Sequence, residues 1–89
     1  LPLMVRYVRS DGRQSSKAIT PDFLLLQESY VGWVECKTRE WLEARRAAED
    51  VNFVCEADGR WRYLPGEKAA HAWGMGYIVR VADENNPVL

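Results

Sequence analysis

The chain is poor in the residues that soft-metal chemistry needs. It has one histidine, His71, and two cysteines, Cys36 and Cys55, which fit no metal-ligand spacing. A Cys/His zinc site and a disulfide framework are both excluded, and reduced thiols of a cytoplasmic protein are expected. No apolar run approaches the ~18 residues of a membrane helix, and no signal-peptide pattern is visible. An excess of positive charge is missing too: 12 Lys and Arg stand against 13 Asp and Glu, a net −1. That balance is awkward for a DNA-binding protein, which usually wants a basic face; part of the acidity, however, sits where a cation should bind, and the rest of a longer protein would be expected to carry the basic surface. What is present is apolar. Hydrophobic residues make up 47% of the 89, with four Trp and four Tyr, which excludes a disordered tail. One small domain of this length buries roughly 60–65% of its unfolded surface.

Two short runs carry the candidate chemistry. Pro21-Asp22 opens Asp22–Leu26 (DFLLL), and Glu35-Cys36-Lys37 closes Val31–Lys37 (VGWVECK). Gln27, Glu28, Ser29 and Tyr30 between them read as a four-residue hairpin turn. Folding about its centre pairs positions whose numbers sum to 57, so Leu26 meets Val31, Leu24 meets Trp33 and Asp22 meets Glu35. Side chains alternate along a strand, so Lys37 shares a face with Glu35, ~6.7 Å further on. Two carboxylates and an ammonium group then converge on one sheet edge. Mg²⁺ is commonly held by one or two carboxylates, with water and substrate phosphate completing its octahedron. Asp22 and Glu35 repel one another unless a cation lies between them. Lys37 would offset that repulsion, orient an attacking water and stabilise charge developing on a phosphate. The alternative is a solvated, inert carboxylate pair, since a slip of one residue turns Asp22 to the other face.

Leu3–Arg9 alternates as a strand, with Leu3, Val5 and Tyr7 on one face and Met4, Arg6 and Val8 on the other. Ser10-Asp11-Gly12 is a turn signal, and the polar stretch to Lys17 is expected as the tip of a hairpin leading to Asp22. The first three strands then form an antiparallel meander. Thr38 can cap a helix with Glu40 in its first turn. Trp41, Ala44, Ala48 and Val51 form its expected core face, opposite a charged stripe of Arg39, Glu43, Arg46 and Asp50. Arg39 and Arg46 are candidate phosphate contacts within that stripe, whose ordinary reading is a solvated, salt-bridged surface. Asp58-Gly59 signals a hairpin between Phe53–Ala57 and Arg60–Leu64. Arg60 and Arg62, interleaved with Trp61 and Tyr63, are candidate DNA contacts; the favoured alternative is a surface ribbon with both aromatics packed inward. A short helix over Glu67–Trp73, carrying His71 on its surface, and a central strand over Tyr77–Ala82 complete the order.

Thr20-Pro21-Asp22-Phe23 and Val34-Glu35-Cys36-Lys37 resemble the motif pair of the PD-(D/E)xK nuclease superfamily. The segment Val5–Arg13 precedes them, and Asp58-Gly59-Arg60-Trp61-Arg62, Pro65-Gly66-Glu67 and Gly76-Tyr77-Ile78-Val79-Arg80 follow. In that order the chain is similar, over nearly its whole length, to the N-terminal catalytic domain of TnsA-type transposon endonucleases. The resemblance implies a bacterial cytoplasmic enzyme that cuts the non-transferred DNA strands at transposon ends. It also implies a partner transposase and a regulatory ATPase. Such a domain adds an acidic residue from a helix ahead of the first strand; starting at Leu1 without Met, this chain has no room for it and reads as part of a longer protein.

The expected fold is α/β (α+β): a restriction-endonuclease-like core with a mixed sheet, an antiparallel meander and flanking helices. Residues 1–84 would be the nuclease-like domain and 85–89, with Asn85-Asn86-Pro87, an exit linker. Asp22 and Glu35 would hold Mg²⁺ or Mn²⁺, with the Cys36 backbone carbonyl as a further ligand, and Lys37 would activate the water. A non-catalytic DNA- or partner-binding scaffold, or a restriction or repair endonuclease of the same fold, are the alternatives.

Overall fold

The computed structural model of the chain describes residues 2–82; the expected exit linker lies outside them. The elements are β1 (Leu3–Val8), β2 (Gln14–Ile19), β3 (Phe23–Leu26), β4 (Val31–Thr38), α1 (Arg39–Ala47), β5 (Phe53–Cys55), β6 (Trp61–Tyr63), α2 (Leu64–His71) and β7 (Gly76–Ala82).

Alternation places Leu3 and Val5 of β1 in the core, with Met4 and Arg6 outside. The polar stretch expected as a hairpin tip is itself a strand. β2 pairs antiparallel with β1, Leu3 opposite Ile19 and Val5 opposite Lys17. The turn is only Ser10-Asp11-Gly12, where Gly12 takes a φ of 86° and Asp11 Oδ1 accepts the Arg13 amide hydrogen at 3.0 Å. The β5–β6 hairpin is built the same way, with Gly59 at φ 88° and Asp58 Oδ1 accepting from the Arg60 amide at 3.0 Å.

β3 and β4 are antiparallel, with Leu26 opposite Val31 and Leu24 opposite Trp33, the expected register. β7 then joins β4 in parallel, Trp33 beside Tyr77 and Glu35 beside Val79. The antiparallel meander of the first three strands does not form. The β1–β2 hairpin pairs apart from the mixed sheet β3-β4-β7, and β5-β6 forms a third ladder. Pro21 sits in the connection between the first two hairpins and has no N–H to give to a ladder. The last strand is also not central: β4 is, and β7 flanks it. The result is an α+β domain.

Thr38 caps α1 as expected, its Oγ1 accepting the Trp41 amide hydrogen at 3.1 Å. The buried face of that helix differs from the expected one. Leu42 is fully buried, whereas Trp41 is 36% and Val51 62% exposed. α1 ends at Ala47, so Ala48 and Val51 fall outside its period, and the helix turns Leu42 rather than Trp41 to the core. Trp41 rests at the rim, its ring edge-on to Phe53 at 5.2 Å. Trp61 and Tyr63 pack inward while Arg60 and Arg62 face out, the ribbon arrangement.

α2 begins at Leu64 rather than Glu67 because Pro65 needs no N–H in a first turn. Gly66 is helical for a packing reason: a Cβ there would lie 2.7 Å from the Tyr77 ring. Asn52 ties these parts together. Its side chain accepts from the Val8 amide and donates to the Val8 carbonyl, both at 2.8 Å, while its own carbonyl accepts from the Leu64 amide at 2.9 Å.

Candidate functional site

The hairpin register brings the expected trio to one end of β4, each by a different device. Asp22 precedes β3, and its Oδ2 accepts the Cys36 amide hydrogen at 2.7 Å. In the ladder that amide would meet residue 21, since paired numbers sum to 57. The carboxylate takes the place of the backbone there. Residue 21 is a proline, so it also offers no donor to the Cys36 carbonyl. That carbonyl and Asp22 therefore lie on the same side of β4.

Glu35 is half-buried between a cation and a phenol. Its Oε1 is 3.4 Å from Lys37 Nζ, and its Oε2 accepts from the Tyr77 hydroxyl at 3.5 Å. Burial holds its carboxyl above the usual carboxylate value; the Lys37 ammonium opposes this, and the Asp22 charge adds to it. Tyr77 is pushed up in turn, first by burial and then by the Glu35 charge. Lys37 lies over Trp41, its Nζ 4.3 Å from the ring centroid.

Glu35, Lys37, Trp41, Tyr63 and Tyr77 line one groove of about 710 Å³. Asp22 is exposed and stands outside that lining. Among the described residues no three His, Cys, Asp or Glu side chains gather into one cluster. Two carboxylates stand at this end of β4, Asp22 on the Cys36 amide and Glu35 beside Lys37; oxygen groups of this kind suit a hard cation that keeps water and do not suit zinc.

The four arginines named as candidate DNA contacts do not line this groove. Arg39 opens α1 at the surface. Arg46 is 3.7 Å from Glu43 and stacks 5.0 Å over Trp61. Arg60 is held in its own turn by Asp58 at 3.0 Å. Arg62 is clamped at the surface by Glu67 (2.6 and 2.9 Å) and Glu56 (2.9 Å), so its charge is already offset by the protein's own carboxylates. The cations that do line the groove include Lys17 and Arg45, which sequence reasoning passed over. Tyr77 was read only as a strand residue. A signal existed for Lys17, two positions before Ile19 on an alternating strand, once the stretch is recognised as a strand. Comparison of the chain with protein-family models and with curated proteins gives no match.

Proposed function

We propose that this domain is a metal-dependent DNA endonuclease. The observation that carries the reading is the ring of contacts about Glu35. One oxygen faces Lys37 and the other Tyr77, while Asp22 is fixed on the next amide along the strand. Asp22, Glu35 and the Cys36 carbonyl would hold Mg²⁺ or Mn²⁺, which when bound neutralises phosphate charge and acidifies a coordinated water. Lys37 orients that water and opposes charge growing on the phosphate. Tyr77 holds the Glu35 carboxylate in place. The resemblance of the Thr20–Phe23 and Val34–Lys37 segments to TnsA-type endonucleases narrows the substrate to transposon ends. The partners would be a transposase and a regulatory ATPase.

The test is nicking of supercoiled DNA in Mn²⁺ by the full-length protein and its Asp22→Ala and Lys37→Ala variants. Each should lose at least about 10²-fold in rate while keeping the wild-type circular dichroism spectrum. Undiminished cutting by either variant rejects the assignment. A second reading, a non-catalytic DNA- or partner-binding scaffold, is favoured by the acidic set stopping at two side chains among the described residues. Calorimetric Mn²⁺ titration separates the two: a scaffold gives no saturable binding that Glu35→Gln abolishes.

A further inference from the structure

The groove beside Glu35 continues along the β1–β2 hairpin, where an exposed lysine stands across the ladder from buried Val5. Leu3, Val5 and Tyr7 share the inner face of β1, and their partners across the ladder are Ile19, Lys17 and Ser15. Val5 is buried to 1% exposure, so the residue opposite it would ordinarily be apolar. Lys17 instead lies with its Nζ 4.6 Å over the Tyr7 ring and enters the groove lining. At the far side the same pairing recurs. Lys37 and Arg45 both lie close to the Trp41 ring, at 4.3 and 4.9 Å from its centroid. Arg45 Nε is buried and has no hydrogen-bond partner among the described residues. The acidic side chains Glu49 and Asp50 line the groove where α1 ends; Asp50 Oδ1 already accepts from the Asn52 backbone amide and Nδ2.

A chain of alternating cations and aromatic faces beside a carboxylate–lysine pair is the composition of single-strand binding grooves. There, phosphates meet the cations and unstacked bases meet the rings. A duplex presents its bases already stacked, so it gains nothing from the rings. We propose that the groove from Lys17 and Tyr7 to Trp41 and Arg45 holds an unpaired segment of DNA strand next to the bond to be cut. This deepens the endonuclease reading by naming its substrate as a locally opened strand rather than an intact duplex.

The experiment measures binding without cleavage. Fluorescence anisotropy in EDTA follows a labelled oligothymidylate of about 12 nucleotides, a span suited to one small basic groove, and a duplex of equal length. Wild-type protein should favour the single strand, with affinity falling steeply as salt rises. Lys17→Glu should weaken binding at least about tenfold, and Lys17→Met should weaken it less, with circular dichroism unchanged in both. Equal or tighter duplex binding, or an unaltered Lys17→Glu variant, overturns the proposal. Asp22→Ala serves to separate the two readings: it should bind the oligonucleotide as wild type does and fail to nick. A wild-type protein that nicks but ignores the oligonucleotide defeats the strand groove alone. One that binds but never nicks defeats the endonuclease reading and leaves the groove standing.

Discussion

The Tyr77 hydroxyl donates to Glu35 Oε2 at 3.5 Å, across the parallel pairing of β4 and β7. Groups that orient a ligating carboxylate from behind commonly carry about 10–100-fold in metal affinity. At this length the bond belongs to the low end. Tyr77→Phe should weaken Mn²⁺ binding about tenfold while the ring keeps its packing over Gly66. The loss should be larger at pH 6 than at pH 8, because removing a donor favours the protonated Glu35. Isothermal titration at the two pH values checks it, and an equal loss at both would deny Tyr77 this role.

Glu35 also makes stability depend on pH, with an unusual sign. Its folded value lies above the ordinary 4.5 because burial outweighs the Lys37 attraction. The folded state therefore favours the protonated form. That contribution is fully present below the unfolded value and is lost as pH rises through the folded one. Glu35→Gln is thus expected to match the wild-type melting temperature in acid and exceed it at pH 7. Adding Mn²⁺ at pH 7 should raise the wild type and leave the variant unmoved. Melting curves across pH 4–8 with and without the ion decide this; a variant less stable at pH 7 contradicts it.

Asn52 should be the costliest polar side chain to remove. It is 7% exposed and satisfies both backbone groups of Val8. Asn52→Ala leaves them unpaired, at about 1–3 kcal/mol for each buried group. A loss of about 2–4 kcal/mol in urea unfolding is expected, at unchanged m-value. A loss under about 1 kcal/mol would mean water replaces the amide.

Gly32 and Gly76 face one another in the β4–β7 pairing, and a Cβ on Gly32 would fall on the Gly76 backbone. Gly32→Ala must force the strands apart, a cost expected above about 3 kcal/mol. Gly76→Ala meets the Tyr30 ring instead, at 2.5 Å, and a side chain can swing aside. Paired denaturation curves should rank Gly32→Ala well below Gly76→Ala.

The hairpin register was legible because a four-residue turn centred between Leu26 and Val31 sets which residues of the two runs meet, and Phe23–Leu26 adopts that pairing. The Thr38 cap was legible because its hydroxyl acts within one helical turn. The inner face of α1 was not. Period alone favoured Trp41, Ala44 and Ala48, but where the helix stops depends on Glu49 taking a φ of 56°, which no local rule fixes. β2 escaped because QSSKAI carries strand conformation on only one apolar side chain of size, Ile19; its pairing comes from β1. Pro65-Gly66 reads as a breaker, yet both enter α2: Pro65 because the first turn needs no N–H from it, and Gly66 because the Tyr77 ring fills the space of a Cβ. For the site, the trio follows from register, whereas Tyr77, Lys17 and Arg45 arrive through contacts between distant segments.

Asp22, Glu35 and Lys37 all come from a single β-hairpin, whereas the Asn52 clamp on Val8 joins residues 44 apart in the chain. The charged corner is therefore portable in a way the cleft around it is not. Transplanted with its turn onto a foreign sheet, the hairpin would carry its two carboxylates and its ammonium group along but leave the Tyr77 hydroxyl behind. Transient opening of the Asn52 clamp would loosen the β1–β2 side of the cleft before it disturbed the Glu35–Lys37 pair.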